Sequence, residues 1–140
     1  MSSKANVEHA ALLLRAALGS MFIAHGLLKL FVFTLPGTVQ FFEQVGLPGF
    51  LAYVVTGTEV AGGILLILGI ATRWVSLALL PVLLGAVSVH FGAGWLFTNP
   101  TGGWEYPAFL TVAAVVQALL GDGAHALRLP VNPLAAPARH

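Results

Sequence analysis

The chain has 140 residues, 58% of them hydrophobic and 8% charged, with a mean hydropathy of +0.92. A soluble domain carries about 25% charged residues, so a water-facing globular surface is excluded and the lipid bilayer becomes the expected partner. The net charge of +1, with scattered arginines and no basic patch, excludes nucleic acid. The absence of cysteine excludes disulfides, thiol catalysis, iron–sulfur ligation and Cys-bound zinc, so any redox role needs a bound cofactor or a quinone.

A membrane-spanning helix takes ~20 apolar residues, and the length allows about four of them. Residues 1–7 read as a short polar tail. The first span covers about 8–31 and, lacking a small-residue cleavage site, is expected to be retained. Within it Gly19 and Gly26 fall on nearly one face and suit close helix contact. Residues 32–49 hold the breakers Pro36-Gly37 and Gly46-Leu47-Pro48-Gly49. Between them 38–45 reads as a short interfacial helix, with Phe41, Phe42 and Val45 on one side and Gln40, Glu43 and Gln44 on the other.

The second span, 50–70, contains Glu59. Ala71-Thr72-Arg73 is a tight connection. The third span, 74–91, contains Pro81, which is expected to kink it. Residues 92–104 form a loop rich in glycine and aromatics, with Trp95, Phe97 and Trp104 suited to the membrane interface. The proline in Asn99-Pro100-Thr101 rules out glycosylation there. The fourth span, 105–120, is stopped by Gly121-Asp122-Gly123, and 124–140 reads as a mobile Pro/Ala-rich tail. The expected fold is all-α: an integral membrane four-helix bundle in a single domain, with an interfacial helix between helices 1 and 2. Lys4, Arg15, Arg73, Arg128 and Arg139 collect on one side, which the positive-inside rule makes cytoplasmic together with both termini. Arg15 then reads as an orientation anchor and Gln117 as a helix–helix hydrogen bonder.

The residues that do not fit an apolar bundle are the informative ones. His25 and Lys29 are four apart and stack on one helix face. His25 lies ~9 Å below the outer end of helix 1 and Glu59 ~14 Å below the outer end of helix 2, at 1.5 Å per residue. His90 and Glu105 sit at the outer ends of helices 3 and 4. Ionisable groups at membrane depth are costly and face protein, a partner or water. His25, Lys29 and Glu59 are therefore the candidate catalytic residues, and His25, Lys29, Glu59, His90, Glu105 and Trp104 the candidate cofactor-binding set. There is no H-E-x-x-H or E-x-x-H motif. No metal site is assigned, since His25, His90 and a carboxylate could converge only through tertiary structure.

Several short motifs share one order and spacing with a known family. They are His25-Gly26-x-x-Lys29-Leu30, Phe41-Phe42 to Gly46-Leu47-Pro48, Glu59-Val60-x-Gly62-Gly63, Leu68-Gly69-x-x-Thr72-Arg73, His90 and Gly103-x-Glu105-Tyr106-Pro107. Together, over roughly residues 10–123, they resemble the DoxX family. The resemblance implies a small four-helix protein of the bacterial inner membrane. The family takes its name from a subunit of an archaeal thiosulfate:quinone oxidoreductase, and other members look like membrane partners of redox or detoxification enzymes.

Three functions are compatible with these residues. The first is a quinone-linked redox subunit: His25 and Lys29 donate hydrogen bonds to the quinone, Glu59 and Glu105 relay protons, and Phe31, Trp95 and Trp104 wall the slot. The second is a non-enzymatic scaffold or anchor for a partner redox enzyme. The third is a small-molecule carrier, which would need a homo-oligomer because four spans without an inverted repeat are few. The first reading predicts one outward-facing polar pocket, with His25 and Glu59 close enough to share a hydrogen bond or a ligand.

Overall fold

The computed structural model describes residues 2–129, and they are all-helical, with no strand among them. Helix α1 spans Ser3–Leu27 and passes directly into a π-helical turn, Leu28–Val32. Helix α2 is Leu35–Gln44, α3 is Leu51–Leu68, α4 is Thr72–His90 and α5 is Glu105–Leu120. Three stretches are long and apolar enough to cross a membrane: Ser3–Val32, Leu51–Leu68 and Thr72–Ala93. The 16 residues of α5 are apolar but fewer; at 1.5 Å per residue they reach about 24 Å.

The burial pattern is that of a protein in lipid. Large apolar side chains point outward on every long helix, among them Leu13, Ile64, Leu84, Phe109 and Leu119. Arg15, Thr56, Glu59, Thr72, Ser76 and Gln117 point inward and are buried. Water would favour the reverse arrangement. Helix α1 packs on α3, α3 on α4, α4 on α5 and α5 back on α1, around a core of Leu18, Phe22, Leu66, Leu79, Leu83 and Ala114.

The α1–α3 contact is a glycine seam. A Cβ at Gly19 would lie 2.6 Å from Gly63 O, and one at Gly63 would lie 2.7 Å from Gly19 O. One turn past the core, Gly26 receives the side chain of Val60. Only residues without a side chain let two helix backbones approach this closely, as the spacing of Gly19 and Gly26 foretells.

Three local readings are corrected. Pro36-Gly37 does not separate two segments. Thr34, at φ 64°, caps α2 by accepting from Gly37 N–H, and proline sits in the first turn, where its missing N–H costs nothing. Phe42, not Phe41, is the aromatic that α2 buries. Residues 124–127, read as the start of a mobile tail, are held to the bundle: Ala124 N–H donates to Glu8 O at 3.0 Å and Leu127 N–H to Leu68 O at 2.9 Å. Residues 130–140 lie outside the described residues.

Arg15 is the reason for that last result. Its side chain is 1% exposed. Nε donates to Asp122 O at 2.9 Å, Nη1 to Leu66 O and Ile67 O, and Nη2 to Ala124 O at 2.7 Å. The guanidinium thus caps the last carbonyls of α3, which an α-helix leaves without partners, and holds the 121–127 segment against them. Asp122 completes the corner by accepting from the first N–H of α4, Thr72 N, at 3.0 Å. Lysine has no planar fork to serve four carbonyls. Arg15→Lys is therefore expected to speed amide hydrogen exchange at residues 122–127 by at least tenfold while α1 and α3 stay protected. Unchanged exchange there would refute this role.

Candidate functional site

The glycine seam fixes where the C-terminal end of α1 meets the N-terminal half of α3. There Lys29 Nζ lies 2.8 Å from Glu59 Oε2 and 3.1 Å from Oε1. The two side chains are 17% and 7% exposed, so the pair is largely withdrawn from solvent. Lys29 belongs to the π turn, and no feature of the sequence announced that turn. Such turns are frequent at functional sites. Here His25 O accepts from Leu28 N–H and also lies 3.5 Å from Lys29 Nζ.

His25 is half-buried one helical turn before Lys29, and it makes no hydrogen bond to the Glu59 carboxylate. Its Nδ1 is 2.7 Å from Met21 O. A carbonyl only accepts, so Nδ1 carries the proton, and in the neutral ring Nε2 is left as a bare base. No hydrogen bond engages Nε2 among the described residues. The expected proximity of His25 and Glu59 therefore takes the form of a shared neighbour, Lys29, rather than a direct bond.

Tyr106, which sequence reasoning did not select, joins this group. Its ring stacks near that of His25, with centroids 6.2 Å apart and planes 26° from parallel. It also lines a cavity of about 300 Å³ together with Trp95, Phe97, Glu105 and Phe109. The available signal was its place in Glu105-Tyr106-Pro107, at the start of α5. Tyr106 thus connects the histidine to an aromatic recess under the 92–104 loop.

The remaining predicted residues do other work. His90 Nδ1 donates to Thr101 O at 3.1 Å, and Glu105 Oε1 accepts from Phe97 N–H at 3.0 Å. Both pin the loop, which also closes on itself through Trp104 N–H to Gly94 O and Glu105 N–H to Trp95 O. Gly103 lies against the backbone of Trp95 and Leu96 with no room for a Cβ. Trp104 stacks on Phe91 at 5.6 Å and meets the edge of Trp95 at 4.6 Å, so it is packing inside the loop. Phe31 is 77% exposed and walls nothing. Of the predicted set, Lys29 and Glu59 pair directly, His25 lies one helical turn before Lys29 with Tyr106 against its ring, Glu105 shares the recess with Tyr106, and His90 and Trp104 serve the loop. Among the described residues no three His, Asp or Glu side chains gather as a metal cluster.

The fold and this site define a small helical membrane protein with an ion pair and a histidine near one end of its bundle. A sequence model of the DoxX family matches residues 10–98, a stretch that stops before α5. The Bacillus subtilis (strain 168) protein named "Putative oxidoreductase CatD" is 37% identical over 116 residues, which is 82% of this chain and 81% of that protein. No solved structure matches the chain. The chain belongs to the DoxX family.

Proposed function

We propose that this protein is an inner-membrane redox subunit that crosses the bilayer four times, with both termini cytoplasmic, and that His25, Lys29 and Glu59 hold a quinone headgroup at its outer end. The observation that carries the reading is the withdrawn Lys29–Glu59 pair beside a histidine whose Nε2 is free. The name of the Bacillus subtilis relative supports the redox class.

The donor set fits such a ligand. A quinone takes up two electrons and two protons and presents two carbonyl oxygens in an apolar ring. Lys29 has three N–H donors, of which two face Glu59. The third makes the weakest contact, 3.5 Å to His25 O, and is the one a ligand oxygen would take. Glu59 holds the Lys29 amine in place. His25 Nε2 accepts or returns a proton, and the Nδ1–Met21 bond holds the ring in that tautomer. Tyr106 keeps the imidazole plane fixed and borders the recess through which an apolar ring would approach. Electrons come from a partner redox protein, for which the exposed, charge-free face of Phe91, Trp95, Leu96 and Phe97 is the docking ground.

The test is the lipid extract of the detergent-purified protein, read by mass spectrometry. A quinone is expected at near one per chain, and at less than a tenth of that in His25→Ala. Quinone no higher than in a control membrane protein purified in parallel would contradict the proposal.

A further inference from the structure

A second set of buried polar side chains lies at the opposite, inner end of the molecule, separated from Lys29–Glu59 by the apolar core. Thr72 and Gln117 are 0% exposed and Ser76 is 1% exposed. Thr72 Oγ1, Ser76 Oγ and Gln117 Oε1 have no hydrogen-bond partner among the described residues. A buried oxygen left in this condition is costly, and most buried polar atoms are paired with protein or ordered water.

The three residues lie where α4 begins and α5 ends. Thr72 and Ser76 are four apart on α4 and share a face. Arg73 Nε donates to Ala118 O at 3.1 Å, and Asp122 Oδ1 accepts from Thr72 N–H at 3.0 Å. These bonds bring the first turn of α4 against the last turn of α5. Gln117 points its amide at the same end, because Nε2 donates to Gly121 O at 2.9 Å. That bond fixes the flip of the amide and leaves Oε1, buried and without a partner, as the group facing away from Gly121 O.

We infer that Thr72, Ser76 and Gln117 bind one buried water molecule that ties α4 to α5. The donor and acceptor inventory closes on a single water. The amide oxygen only accepts and takes a water proton; each hydroxyl can donate to one of the two water lone pairs. Three bonds are the usual complement of a buried water. A metal cation fits the same corner poorly. The Arg15 guanidinium is buried at this end, one Asp122 oxygen is already taken by Thr72 N–H, and hard cations require about six oxygens. The water would act as a staple: it joins two helices that share no side-chain hydrogen bond at these three positions.

The experiment is a structure of the full chain in nanodiscs at a resolution that shows waters, paired with thermal melts. One density peak is expected within about 3.2 Å of Gln117 Oε1 and of at least one of the two hydroxyls. The peak is expected to vanish in Gln117→Leu and in the milder Ser76→Ala, which lowers the melting temperature by about 3 °C. Melting temperatures in sodium chloride and choline chloride should agree. Direct bonds among the three side chains with no density between them, or a melting temperature that rises with sodium, would overturn the assignment.

Discussion

Replacing Glu59 with methionine is expected to lower stability by about 2–3 kcal/mol and to abolish quinone retention. The cost comes from the group left behind. Lys29 would keep an ammonium among apolar neighbours with only His25 O, at 3.5 Å, as a partner. Breaking a fully buried pair in this way costs ~3–5 kcal/mol. The smaller figure applies because 17% of the Lys29 side chain remains exposed and its flexible stem can carry the charge outward. Removing both partners together should behave differently. An apolar pair of similar volume often matches or exceeds a buried ion pair, by up to about 4 kcal/mol. Lys29→Met combined with Glu59→Met is therefore expected to melt at or above the wild-type temperature. The contrast between single and double variants, read by thermal unfolding in one detergent, separates the stability role of the pair from its chemical role. A double variant no more stable than the Glu59→Met single would show that the pair is needed for packing as such.

The second large effect is expected at Gly19. A Cβ there would sit 2.6 Å from Gly63 O and 2.7 Å from the Ile67 side chain. The first of these is backbone and cannot swing aside. Gly19→Val must push α1 off α3, and overpacking of this kind costs ~1–3 kcal/mol or more. The same displacement would draw Lys29 from Glu59, since the seam sets the approach of the helix ends that carry them. Gly57, on α3, is the control. Nothing lies within 4 Å of a Cβ built there, and alanine in a helix interior is favoured over glycine by up to ~1 kcal/mol. Gly57→Ala should leave the melting temperature unchanged or raise it, whereas Gly19→Val should lower it by many degrees. Equal effects at the two positions would refute the seam.

The seam, and the need of Lys29 and Glu59 for a partner, were legible in the sequence for one physical reason. In a chain with 8% charged residues, a lysine and a glutamate inside apolar runs must find each other or water, and glycines spaced seven apart must serve close packing. Depth counted along each helix placed His25 and Glu59 toward one end but did not select Lys29 as the partner of Glu59, because a lysine near a helix end can also reach the surface. The same count could not assign His90 and Glu105, because residues at a membrane surface have many partners to choose from. Their partners proved to be Thr101 O and Phe97 N–H, in an irregular loop that no periodicity describes.

The carbonyl-binding role of Arg15 was hidden for a related reason. Its four acceptors are backbone carbonyls, two of them in the segment after Gly121 that carries no repeating pattern. A carbonyl leaves no mark in sequence, so a buried arginine that uses carbonyls alone looks the same as one at a membrane face. The π turn at Leu28–Val32 was also invisible, since none of its residues is foreign to an ordinary helix. Tyr106 was hidden by its neighbour: Glu105 drew the attention owed to a charge, while the aromatic ring beside it is the one that meets His25.

The most direct measurement of the proposed quinone site is the titration of a short-chain quinone into nanodisc-held protein, followed by quenching of tryptophan fluorescence. Trp95 lines the recess that Tyr106 shares, so a ring bound there should quench it. The wild type is expected to quench saturably, and the Lys29→Met/Glu59→Met double variant, still folded, to show only the linear quenching of quinone dissolved in lipid. Saturable quenching of equal affinity in the double variant would contradict a quinone site at Lys29 and Glu59.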